Sequence, residues 1–122
     1  VKTGSKTAEM VKYMTNTFLT TKVSFANEMK MICDELKIDY DKVVEYSTYD
    51  ERLGKSHWAV PGPDGKMGFG GSCFPKDINA LIALSKDMRL YLHTLQSVWK
   101  TNLKVRPEQD WKELKGRAVT DE

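Results

Sequence analysis

Among the residues of this 122-residue chain, Cys73 has the surroundings that chemistry asks for. It stands two residues before Pro75, which suits the first turn of a helix, so the thiol is expected at a helix mouth. Unpaired backbone amides and the helix dipole favour an anion there. The thiolate is the attacking form of cysteine, and the nearby Lys76 adds charge of the helpful sign. The preceding Gly68, Phe69, Gly70 and Gly71 let the main chain come close to a ligand. Without such a context a lone cysteine is usually inert, and that is how Cys33 reads: it sits beside Ile32 on a helix as a small apolar filler.

Three more polar side chains fall into register. Lys12 and Asn16 are four apart and Asn27 is eleven further on, so all three share nearly one azimuth of a helix. A solvated face is the ordinary meaning of such a stripe. Asp77 follows Cys73 by four residues, one helical turn, where it can hold a water or a lysine near the sulfur. His57, His93, Cys33 and Cys73 have no zinc-like spacing, so no metal site is expected, and the absence of a CxxC pair argues against a thiol redox protein. Trp58 and Trp99 read as packing residues.

The elements that must position these groups are helical. Residues 7–37 contain no glycine or proline, and apolar residues recur at Met10, Met14, Phe18, Val23, Ala26, Met29 and Leu36, which predicts one long helix. Val11, Tyr13 and Phe25 lie off that stripe, so a second apolar face is expected to meet another subunit. Asp39 is the expected N-cap of a short helix ending near Ser47. Six glycines and two prolines between Thr48 and Phe74 then break every periodicity, which predicts a long functional loop. Helices over 75–86 and 90–104 follow, with Pro107 beyond the second. The fold class is therefore all-α: one long helix, three shorter ones and a long Gly/Pro-rich loop. Residues 1–107 are expected to form the domain, and 108–122 a polar tail or the start of a linker, with Trp111 and Leu114 as docking points.

Nineteen basic and seventeen acidic residues leave a charge of +2, too balanced to point to nucleic acid or an anionic membrane. No apolar run reaches the length of a membrane span, and the first ten residues lack the apolar core of a signal peptide, so a cytoplasmic protein without a structural disulfide is expected.

The string GFGGSCFPKD over 68–77 resembles the active-cysteine signature of the UDP-glucose/GDP-mannose dehydrogenase family. Upstream, AEMVKYMTNTFLTTKVSFANE resembles the family's long central helix, and DERLGKSHW resembles its arginine-bearing segment, so the likeness runs in order from Ala8 to Lys104. Members oxidise a sugar alcohol of a nucleotide sugar to the acid with two molecules of NAD. The resemblance implies that Cys73 traps the intermediate aldehyde as a thiohemiacetal, which a second hydride transfer turns into a thioester that water releases as the acid. It implies that Lys12 stabilises the oxyanion, Asn16 orients the reacting oxygen, and Asp77 with the lysine activates the hydrolytic water. Arg52 matches an arginine that reaches the neighbouring subunit's site, and Gly68, Phe69, Gly70 and Gly71 would line the sugar pocket with backbone.

Two departures qualify the likeness. The stretch SHWAVPGPDGKM is longer than in many members, so the sugar contacts are open. There is also no GxGxxG after a strand and no βαβ unit, so the NAD site is expected in domains outside this sequence. The expectation is thus a central domain that supplies the thioester chemistry and a homodimer interface through its long helix, and that is inactive alone. The alternative is a stand-alone helical dimerisation or binding module that has lost its catalytic neighbours.

Overall fold

The computed structural model describes residues 4–114, and the side chains of residues 113 and 114 lie outside that description, as does the tail beyond them. Four α-helices make up the domain: α1 (Ser5–Leu36), α2 (Tyr40–Ser47), α3 (Cys73–Asp87) and α4 (His93–Val105), with 3-10 turns at Glu51–Leu53 and Asp110–Leu114. No strand occurs among the described residues. The all-α expectation holds, as does the single long helix. Among the described residues no helix is long and apolar enough to cross a membrane.

At 32 residues α1 extends for about 48 Å and serves as the mast against which α3 and α4 lean, with α2 at its C-terminal end. It stops where Lys37 turns into the left-handed region at φ 59° and Ile38 N donates to Cys33 O, a closing turn of the kind glycine usually makes. Asp39 then caps α2, its carboxylate accepting from the amides of Asp41 and Lys42, as the sequence led one to expect.

The buried face of α1 differs from the expected one. Ala26 is enclosed, but Met14 and Phe18 are 72% and 61% exposed, and Met10, Val11, Phe25, Ile32 and Leu36 are exposed with them. The side turned inward carries Thr17, Thr20, Ser24 and Asn27 instead. Their short side chains admit close neighbours, and their polar atoms are satisfied nearby. Thr17 and Thr20 donate back to carbonyls one turn earlier, and Ser24 Oγ crosses to Val98 O of α4 at 3.0 Å. Larger apolar volume comes from the partners. Ile78 and Ile82 of α3 and Val98 of α4 enclose Phe69, with Val23, Phe74, Leu95 and Trp99 around them. A second cluster of Ala26, Cys33, Tyr40 and Val60 joins α1 to α2 and to the loop. Cys33 is thus a core filler, as read from its neighbours. Full burial of a side chain such as Ile78 contributes about 1.5–3 kcal/mol.

Helix boundaries shift at two places. The third helix begins at Cys73 itself, two residues before the expected start, and the fourth begins at His93 rather than Leu90. Proline lacks only an amide that a first turn leaves unpaired, so Pro75 is accommodated in the third position without ending the helix. After α4 the chain stays on the body: Trp111 is buried, its ring 5.0 Å from that of Trp99. Trp111 therefore docks as expected, whereas Leu114 falls outside the described side chains.

Candidate functional site

Cys73 is exposed and is the first residue of α3, so its sulfur stands beside the unpaired amides of that turn. The Ser72 hydroxyl lies 3.9 Å from the thiol. One turn along, Asp77 is only 1% exposed, and Asn16 Nδ2 of α1 donates to its Oδ2 at 2.6 Å. The other carboxylate oxygen has no hydrogen bond among the described residues, and the nearest cation, Lys76 Nζ, is 3.6 Å away. Two of the expected polar residues, one on α1 and one on α3, are therefore in direct contact, leaving a buried acceptor below the cysteine. Lys12 shares the face of Asn16 and comes up beside Lys76, without an ion pair to Asp77.

The glycine loop is held by its main chain. Gly68 N donates to Asn27 Oδ1 at 3.2 Å, Phe69 N to Asn102 Oδ1 at 2.7 Å, and Gly71 N to Asp110 Oδ2 at 3.0 Å. Asn102 Nδ2 returns a bond to Phe69 O at 2.9 Å, so this fully enclosed side chain holds the main-chain N–H and C=O of one residue, joining two successive peptide groups. Of the four consecutive amides, only that of Gly70 has no acceptor among the described residues. Gly68 has φ +68°, and a Cβ there would run into Asn102 and Val105; at Gly70 it would run into Asp110 and Arg106. The loop is glycine-rich because helix α4 and the segment after it press against its backbone.

Arg106, 2% exposed at the end of α4, organises the far side. Its Nε donates to Asp110 Oδ1 at 2.8 Å, Nη2 to Asp64 Oδ2 at 2.5 Å, and Nη1 to the carbonyls of Met67 and Gly68 at 3.2 and 3.4 Å. Burial pushes Asp110 up, but the Gly71 amide and the guanidinium outweigh it and hold the carboxyl below the usual carboxylate range. Asp64 is held low chiefly by its hydrogen bond from Arg106.

Gly68, Phe69 and Gly70 also line a cavity of about 400 Å³, together with His57, Phe74 and Arg106. His57 packs on Phe74 with ring centroids 5.8 Å apart, and its buried Nδ1 has no hydrogen-bond partner among the described residues. Burial first, then the charge of Lys22, holds its pKa below the ordinary imidazole value. Arg52 is not brought to this site. It is 88% exposed on the Glu51–Leu53 turn and pairs with Asp50 at 2.7 Å. That turn is pinned to α1 by Lys22, whose Nζ donates to Leu53 O at 2.9 Å and lies over the Trp58 ring at 4.9 Å.

Sequence reasoning did not single out Asn102, Arg106 or Asp110. A signal was available. Val98, Asn102 and Arg106 follow each other at four-residue steps, so two polar residues continue an apolar, core-facing stripe and must find buried partners there.

The fold and site together define a helical domain that presents an exposed cysteine at a helix start, above a buried carboxylate and behind a clamped glycine loop. The UDP-glucose/GDP-mannose dehydrogenase family model for the central domain matches residues 6–104, and the chain belongs to that family. It is 39% identical over 106 residues to UDP-glucose 6-dehydrogenase TuaD of Bacillus subtilis, a match covering 87% of this chain and 22% of that protein. The UDP-glucose 6-dehydrogenase of Rickettsia prowazekii is 40% identical over 105 residues, covering 86% and 23% respectively. A solved UDP-glucose dehydrogenase from the hyperthermophilic archaeon Pyrobaculum islandicum superposes with a TM-score of 0.70 at 36% identity, over 78% of this chain and 21% of the other. The chain thus spans 22% of the length of the first of these relatives.

Proposed function

We propose that this domain supplies the covalent step of a nucleotide-sugar 6-dehydrogenase, with Cys73 as the nucleophile toward an aldehyde intermediate. The observation that carries the proposal is the exposed thiol at the start of α3, one turn above the buried Asp77 and its bond from the half-buried Asn16. Addition of the thiol across the aldehyde forms a C–S bond and leaves a hydroxyl on the former carbonyl carbon, a thiohemiacetal. The first-turn amides, with Lys12 from α1, offer positive charge to the oxygen while it is anionic. At the thioester stage, water attacks the acyl carbon, the C–S bond breaks and the thiol is regained. Asp77, whose Oδ1 has no hydrogen-bond partner among the described residues, is the base available to take the water's proton.

The oxidation between these stages calls for NAD, and the described residues do not suit it. They contain no strand and no glycine-rich strand-to-helix turn, so no hydride step is derived for this chain. The nucleotide sugar would lie along the Gly68–Gly71 backbone, where the Gly70 amide is open to a substrate oxygen. Alkylation tests the nucleophile: iodoacetamide is expected to label Cys73 faster than the buried Cys33 at neutral pH, and equal slow labelling of both would remove the activated thiol.

The same reading includes a homodimer through α1. Met10, Val11, Met14, Phe18, Phe25 and Ile32 are exposed along one helix, an apolar surface that isolated soluble chains seldom leave open. Arg52, extended away from its own site, would then be available to a second copy. Light scattering at micromolar concentration is expected to give twice the chain mass, and Phe18→Glu the mass of one chain. A monomeric parent protein would count against the interface.

A further inference from the structure

We propose that Asp110 is a positioning residue for Cys73: one carboxylate oxygen accepts from the Gly71 amide, two residues before the nucleophile, and the other accepts from Arg106. The inference rests on the reading of Cys73 as nucleophile and adds the source of its placement. Cys73 occupies the first position of α3, where its amide has no helical partner, and the Ser72 side chain makes no capping bond to that helix, so helix geometry alone does not fix the thiol. What precedes it decides where it points. Gly71 has φ +76° and nothing near the position of a Cβ, so the side facing away from Asp110 exerts no restraint. Its amide bond to Asp110 Oδ2 at 3.0 Å is the last tether before the helix begins. Asp110 is in turn immobilised from two directions, by Arg106 Nε at 2.8 Å and by the neighbouring Trp111, buried against Trp99. The carboxylate belongs to the segment that follows α4, so the exit of the chain from the helical body is bonded directly to the loop carrying the nucleophile.

Asp64 provides an internal control. It binds the same guanidinium through Nη2 but makes no bond to Gly71. In the protein that carries this domain, the rate of Cys73 alkylation by iodoacetamide is followed against pH, together with kcat and KM, for Asp110→Ala, Asp110→Asn and Asp64→Asn. Asp110→Ala is expected to slow alkylation at neutral pH and to lower kcat by about tenfold each, with KM little changed, because the reacting atom is misplaced rather than the substrate released. Asp110→Asn, which keeps an acceptor for Gly71, restores both to within about threefold of the parent. Asp64→Asn lowers the melting temperature yet keeps the parent pH profile. Where the alanine variant does not fold, Asp110→Ser gives the same comparison, since its side chain is too short to reach the amide. The proposal is overturned if Asp64→Asn alters the Cys73 profile as Asp110→Ala does, or if Asp110→Ala leaves it unaltered. A parent Cys73 that reacts as slowly as Cys33 removes the nucleophile reading as well.

Discussion

Replacing Cys73 with serine in the protein that carries this domain is expected to abolish acid formation, with a fall on the order of 10³-fold or more in kcat. The substitution changes one atom at an exposed position, so folding should be preserved. What changes is the nucleophile. An alcohol adds to an aldehyde but is rarely ionised near neutral pH, and the ester it would form lacks the good leaving group that a thiolate makes. The expected residue of activity is release of the aldehyde, detectable by trapping with hydroxylamine. Acid produced at the parent rate would exclude the covalent route and with it the role given to the turn around Asp77.

The largest effect on stability is expected at Asn102. Replacing it with leucine keeps the branched side-chain shape at a larger volume but removes the partners of both the N–H and the C=O of Phe69. Each orphaned group costs roughly 1–3 kcal/mol, so a total of about 2–6 kcal/mol is anticipated from urea unfolding. Equal stability of the leucine variant and the parent would show that the loop finds its conformation without the clamp.

Much of the fold was legible in the chain. The glycine-free run before Lys37, the Asp39 cap and the turn chemistry between Thr48 and Phe74 give the helices and the loop from local rules alone. The relation of Cys73 to Asp77 was legible for the same reason, being one turn within one helix. The inward face of α1 was not. Hydrophobic periodicity assumes that the apolar stripe faces the core, whereas here small hydroxyl residues do, because they let α4 approach closely and satisfy their own hydrogen bonds. The Asn16–Asp77 bond joins residues 61 apart in sequence, and Arg106 reaches back 38 to 42 residues to the loop at Asp64, Met67 and Gly68; spacing rules carry no information at that range. Arg52 was read from likeness alone, and among the described residues its side chain pairs with Asp50.

The acceptors that shape the glycine loop come from α1, from α4 and from the segment after it, and the bonds to Asn102, Asp110 and Arg106 each span 33 or more residues. A chain emerging from the ribosome therefore releases Cys73 well before the side chains that arrange its surroundings are available. During that interval Cys73 is carried on a loop without its clamp. The surroundings of the thiol are thus completed late in synthesis, and a nascent or truncated chain ending before residue 102 holds the Cys73 sequence without its geometry.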